Sequence, residues 1–181
     1  MPKFFEALDD KLIRFIQSQH MFFVATAPDD GKINLSPKGL DSLLIESSSQ
    51  LVWLNLTGSG NETAAHVYEN KRMTIMFCSF DKQPLILRVY GKADLIYPRH
   101  ADFAQLCQSF PAFPGIRQFF RLKIELIQTS CGFAVPYYEF RGERETLVNR
   151  GNQLTQAEVT QYWQEHNQQS LDGQPTGILE D

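Results

Sequence analysis

Two stretches carry residues that could do chemistry together, INLSPKGLDS at 33–42 and LVWLNLTGSGNETAAHVYEN at 51–70. In the first, period two puts Asn34 and Ser36 on one face of a strand that ends in Pro37-Lys38-Gly39. An amide, a hydroxyl and an ammonium on one edge suit a phosphomonoester dianion. In the second, an apolar run stops at Thr57-Gly58-Ser59-Gly60-Asn61 and a helix-like segment follows from Glu62. Strand, small polar loop and helix make a common phosphate cradle, because the first helical amides are unpaired donors at the positive end of a dipole.

Each feature also has a plainer reading. Ser59-Gly60-Asn61-Glu62 fits a capping box, with Ser59 as N-cap and Glu62 reaching back. Glu62 itself disfavours a phosphate directly at that terminus, since two anions would share one dipole. Lys38 would be solvated on a surface turn if no anion meets it. Arg88, inside Leu85-Ile86-Leu87-Arg88-Val89-Tyr90, must reach solvent, a carboxylate or a ligand anion, and an outward-facing strand arginine satisfies that as well.

Other chemistries find less. His20, His66, His100 and His166 are scattered, and the Glu62/His66 pair supplies too few ligands for zinc, so no metal is expected. No GxSxG, Walker loop or GxGxxG occurs. Cys78, Cys107 and Cys131 are odd in number and widely spaced, which argues against disulfides. Cys131 in Gln-Thr-Ser-Cys-Gly has no evident histidine partner and reads as a core thiol.

The elements that must position these residues belong to an ordinary globular chain. It has 181 residues and 43% apolar content, which is enough for one domain with an appendage. A net charge of −4 excludes a broad basic face, so no nucleic acid partner is expected. The N-terminus lacks a secretory pattern and no apolar run is long enough to span a bilayer, so no membrane partner is expected and cytoplasmic is the default.

Residues 3–18 carry apolar positions at helical spacing and predict an amphipathic helix. Strands are expected at Phe22 to Ala27, Lys32 to Ser36, Leu43 to Glu46, Leu51 to Leu56, Met73 to Phe80 and Leu85 to Tyr97, the last with a bulge or bend at Gly91. A helix is expected at 62–70 and a short one around Phe103 to Phe110, before the breaker PAFPG. Residues 120–127 alternate strictly, and Tyr138 to Phe140 with Thr146 to Val148 suggest a small hairpin. Thr155-Gln156-Ala157-Glu158 opens a polar helix, and LDGQPTG reads as a mobile tail. Strands in hairpins with few helices predict a mainly β, α+β fold built on an antiparallel barrel. The division expected is a barrel domain at 1–150 and a C-terminal helix and tail at 151–181.

The order FFVATA, NLSPKG, LTGSGNETAAHVYENKR, LILRVYG, QTSCG resembles the pyridoxamine 5′-phosphate oxidase-like family of flavin-binding split β-barrels, over roughly residues 5–135. The resemblance implies FMN at a homodimer interface, with Lys38 on the flavin phosphate and Asn34 and Ser36 leading to it. It places Thr57 at a flavin contact and aligns Ser59, Asn61, Glu62 and Thr63 with a loop that is more basic in the oxidases. Arg88 falls in a strand whose polar residues approach the flavin ring.

The departures bear on substrate. Asn61-Glu62-Thr63 stands where the oxidases carry arginine and lysine, and the end YWQEHNQQSLDGQPTG has no counterpart to the C-terminal tryptophan and Arg-x-His features that grip pyridoxine in them. The family thus implies an FMN-dependent oxidoreductase with an unnamed small-molecule substrate or an electron donor such as NAD(P)H. The alternatives are a flavin- or haem-binding protein for storage, sensing or tetrapyrrole handling, and a barrel without cofactor that serves as an interaction module.

Overall fold

A computed structural model describes residues 2–180. Its framework is one antiparallel sheet in the spatial order β3-β2-β6-β7-β8-β5-β4, with β1 added on β8. The strands are β1 (Lys3–Phe5), β2 (Phe22–Thr26), β3 (Asn34–Lys38), β4 (Leu43–Ser47), β5 (Gln50–Leu56), β6 (Arg72–Cys78), β7 (Leu85–Ile96) and β8 (Ile116–Cys131). The helices are α1 (Asp10–Gln17), α2 (Glu62–Asn70), α3 (Phe103–Cys107), α4 (Thr146–Asn152) and α5 (Gln156–His166). This is the expected antiparallel split β-barrel with a few flanking helices.

The sheet curls because inward positions from both of its ends share one core. Val24, Leu51, Trp53, Ile75, Leu87, Val89, Phe120 and Leu122 meet there, and α1 closes it with Leu12, Phe15 and Ile16. Trp53 stacks on Phe120 with ring centroids 4.7 Å apart. A second cluster, Val52, Leu54, Ile96, Leu106 and Phe119, covers the outer face at one end of β5 and β8. The Gly91 irregularity is present: register shifts between Tyr90 and Gly91 where β7 crosses β8.

Cys131, expected as a core thiol, is exposed at the end of β8, and three expectations about local structure change. The single helix over 3–18 is a strand and a helix. Asp9 accepts the Leu12 amide at 2.7 Å and so starts α1 at residue 10, while Lys3–Phe5 finds backbone partners on β8. The hairpin at 138–148 is not formed. Tyr138 packs edge-on against Phe80 and Phe140 stacks on His20 at 3.7 Å, and residues 146–152 coil into α4.

The tail is the third. It is packed rather than mobile: Gln169 and Pro175 form a bridge, and Thr176 is fully buried. Ile178 joins Tyr97, Val159 and Trp163 in a third cluster, while Arg99 donates to the Gly177 and Ile178 carbonyls. The capping box that opens α5 is formed as expected, with Thr155 and Glu158 bonded reciprocally. No helix among the described residues is long and apolar enough to cross a membrane.

Candidate functional site

Strand β3 lies at the edge of the sheet, paired only with β2, so its side chains at 34, 36 and 38 share one face as period two requires. Those three residues form one wall of a cavity of about 450 Å³. The end of β5, the loop 58–61, the start of α2, Arg117 of β8, the turn after β3 and Leu147 of α4 complete the lining. Asn34 donates to the Thr63 hydroxyl at 3.1 Å, and Ser36 donates back to Asn34 Oδ1 at 3.3 Å. Strand β3 is thereby tied to the first turn of α2.

Lys38 reaches into this cavity with its ammonium 5.1 Å from the centroid of the Trp53 ring, a cation–π placement. Burial, helped by the neighbouring positive charge of Arg117, pushes its pKa down to about 8. Arg117 was not among the residues that the sequence singled out. It is 3% exposed, and each of its acceptors is neutral. One terminal nitrogen donates to Asn167 Oδ1 at 2.8 Å and Gly58 O at 3.3 Å, and the other to Asn55 Oδ1 at 2.8 Å. Its Nε has no partner.

Among the described residues, no carboxylate lies within 4.0 Å of Arg117 or Lys38 as an ion pair. A buried cation without a counter-charge is costly, as at Arg117, and the half-buried Lys38 lines the same cavity. An ammonium and a guanidinium on one cavity wall are chemically suited to an anion such as phosphate.

The opening loop behaves differently from the capping box expected of it. Asn61, not Ser59, is the N-cap of α2, and no side chain caps the helix. The Asn61 side chain is engaged elsewhere: it accepts from Gln118 at 2.7 Å and donates to the Asn167 carbonyl at 3.2 Å. The Glu62 carboxylate, instead of reaching back, accepts the Leu171 amide at 2.9 Å. Ser59, Asn61, Glu62 and Thr63 all line the cavity with Asn34, Ser36 and Lys38.

Two candidates lie apart. The Thr57 hydroxyl donates to Gly115 O and accepts from the Trp163 indole, each at 2.9 Å, and it does not line the cavity. Arg88 lies on the opposite face of β7 from Leu87 and Val89 and donates to the Ser130 hydroxyl at 3.2 Å. It does not line the cavity.

Arg117 escaped notice for a physical reason. Its parity matches Arg121 and Lys123, which read as a solvated face. At that end of β8 the outer face is covered, and residues 117–120 are buried in succession. Only the breaker PAFPG and the apolar neighbours hinted at this.

This cavity sits on a chain with known relatives. Residues 8–131 match the family described as pyridoxamine 5′-phosphate oxidase. The pyridoxamine 5′-phosphate oxidase family protein ustO from Aspergillus flavus is 37% identical over 194 residues, covering 97% of this chain and 78% of that one. The chain belongs to the pyridoxamine 5′-phosphate oxidase family.

Solved structures agree on the fold of this family member. HupZ from Group A Streptococcus has a TM-score of 0.54 at 18% identity, over 66% of this chain and 91% of that chain. The FAD binding protein from Mycobacterium smegmatis has a TM-score of 0.50 at 14% identity, over 70% and 97%. The family match ends at β8, so α4, α5 and the packed tail, which supply Leu147 and Asn167 beside the cavity, lie beyond it.

Proposed function

We propose that this member of the pyridoxamine 5′-phosphate oxidase family is an FMN-dependent oxidoreductase whose flavin phosphate is held between Lys38 and Arg117. One observation supports the reading: Lys38 and Arg117 line one cavity, and neither has a carboxylate partner among the described residues. Asn34, Ser36, Ser59 and Thr63 add neutral donors, and Glu62 is turned toward Leu171. The flavin, when bound, supplies the electron transfer, and the chain binds and orients it.

The functional unit in this reading is a homodimer. Arg88 and Tyr90 lie outside the barrel, so any contact of Arg88 with the flavin ring comes from a second copy of the chain. The reductant is an electron donor such as NAD(P)H. In this reading the protein is not an efficient oxidase of pyridoxine phosphate, because the C-terminal residues that grip it in the oxidases have no counterpart here, and Trp163 and Asn167 are engaged with Thr57 and Arg117.

The visible spectrum of the purified protein, followed by cofactor release, tests this. A yellow protein absorbing near ~450 nm that releases FMN is the expected result. Consumption of NAD(P)H with an acceptor marks an oxidoreductase, and its absence leaves a flavin binder. A haem spectrum, or uptake of neither cofactor, refutes the proposal. Turnover of pyridoxine phosphate above ~10⁴ M⁻¹s⁻¹ refutes the substrate statement. A monomer by light scattering refutes the dimer.

A further inference from the structure

Asn167, the C-cap of α5, is fully buried and lies 50 residues from Arg117 in sequence. Its Oδ1 accepts from Arg117 at 2.8 Å. Its Nδ2 donates to the carbonyls of Gly58 at 3.1 Å and Ser59 at 3.5 Å. Its own carbonyl accepts from Asn61 at 3.2 Å and from the Thr176 hydroxyl at 2.7 Å. One side chain thus holds both the buried cation and the loop that frames the cavity.

The amide is the chemistry that this place demands. A carboxylate of the same size would accept from Arg117 equally well, but it would cancel the charge and lose both donors to the loop. Asn55 repeats the choice on the strand side, accepting from Arg117 through a neutral Oδ1 at 2.8 Å. Two neutral acceptors orient the guanidinium and leave its charge available to a ligand.

We propose that Asn167 is a positioning residue for the anion site, so that the C-terminal segment sets the preference of this protein for a phosphorylated flavin over an unphosphorylated one. The proposal rests on the phosphate reading of the Lys38–Arg117 cavity. The segment is then part of the binding site and not an appendage to it. Its contribution runs through charge and loop position, without touching the isoalloxazine ring.

Titration of the full-length apoprotein with FMN and with riboflavin, followed by flavin fluorescence, tests it. Asn167→Asp is expected to weaken FMN about 10- to 100-fold, the loss of one charge-assisted contact, and to leave riboflavin within about 2-fold. Asn55→Asp should act in the same direction from the other side. Should Asn167→Asp fail to fold, Asn167→Ala decides on the same ratio: it keeps the charge but frees the loop, so an FMN-selective loss of several-fold is expected. A folded Asn167 variant with an unchanged FMN-to-riboflavin ratio overturns the role of Asn167 alone. A wild-type protein that does not prefer FMN to riboflavin overturns the phosphate reading, and this proposal with it.

Discussion

The Trp163 indole donates to the Thr57 hydroxyl at 2.9 Å across a separation of 106 residues, and the same hydroxyl donates to the Gly115 carbonyl. One threonine thereby joins α5, the end of β5 and the turn into β8. Thr57→Val keeps the shape and leaves the indole N–H without an acceptor. The expected cost is about 1–3 kcal/mol of stability, measured by denaturant unfolding. Trp163→Phe also empties part of a buried cluster, so in the Thr57→Val background only the hydrogen-bond share of its cost should disappear. Full additivity would show that the pair does not couple.

Lys38→Ala removes one of the two cavity cations. FMN affinity should fall about 10- to 100-fold, since a charged hydrogen bond contributes ~1.5–3 kcal/mol. Riboflavin affinity should barely move, and the barrel should remain folded, because Lys38 lies at the end of an edge strand. Equal losses for the two ligands would mean that Lys38 supports the loop and not the phosphate.

The same lysine predicts a pH profile. Burial, with the nearby charge of Arg117, pushes its pKa down from an ordinary 10.5 to about 8. A phosphate dianion favours the ammonium, so FMN affinity should decline as pH rises through 8. Below ~6 the phosphate itself takes up a proton and binding weakens again. Folding without ligand follows the opposite sign. The unfolded chain binds this proton more tightly, so the contribution of Lys38 to stability rises between pH 8 and 10.5. Isothermal titration from pH 5 to pH 9.5 reads the binding limb, and a flat profile above pH 7 would remove Lys38 from the phosphate.

Glu62→Gln deletes the one carboxylate in the cavity wall that the helix dipole of α2 would otherwise share with an anion. The amide oxygen still accepts from Leu171, so the local fold should hold. FMN should bind about 2- to 5-fold tighter, the usual size of a charge effect at a helix terminus. Weaker FMN binding would show that the carboxylate orders the loop more than it repels the ligand.

Gly91→Ala tests the barrel. A Cβ at this position would lie 2.0 Å from the Lys123 carbonyl oxygen, inside the ladder between β7 and β8. Those two strands form the spine of the sheet, so the backbone must part to admit a methyl group. A loss of about 3 kcal/mol or more is expected in thermal or urea unfolding. A neutral substitution would mean that the bulge relaxes freely.

Local pattern alone specified a good part of the framework. Alternation from Phe120 to Ile124, the apolar run at Leu51 to Leu56 and the bend at Gly91 each reflect a constraint that acts within a few residues, namely strand pleat and backbone approach. Past the bulge opposite Gly91 the phase slips, so Leu126, expected on the inner face, is exposed and Ile127 is buried. The same period-two rule puts Asn34 and Ser36 on one face of β3 with Lys38, and that face forms one wall of the cavity. The helix at 62–70 and the Thr155 capping box are equally local.

What the sequence by itself could not settle were competitions between alternative partners. Ser59 and Glu62 match a capping box, but Glu62 satisfies the Leu171 amide, 109 residues away, and Asn61 is claimed by Gln118 and Asn167. Lys3–Phe5 follows a helical pattern until β8 offers it a strand edge. LDGQPTG looks solvated until Tyr97, Arg99 and Asn61 bind the segment around it. Arg117 looks like one more charge on an exposed face until the tail covers that face and leaves the guanidinium with neutral acceptors only. Local sequence determined where strands and turns form, because those energies are short-ranged. Tertiary structure decided which buried charge goes uncompensated, because that depends on groups brought together from 50 to 109 residues apart.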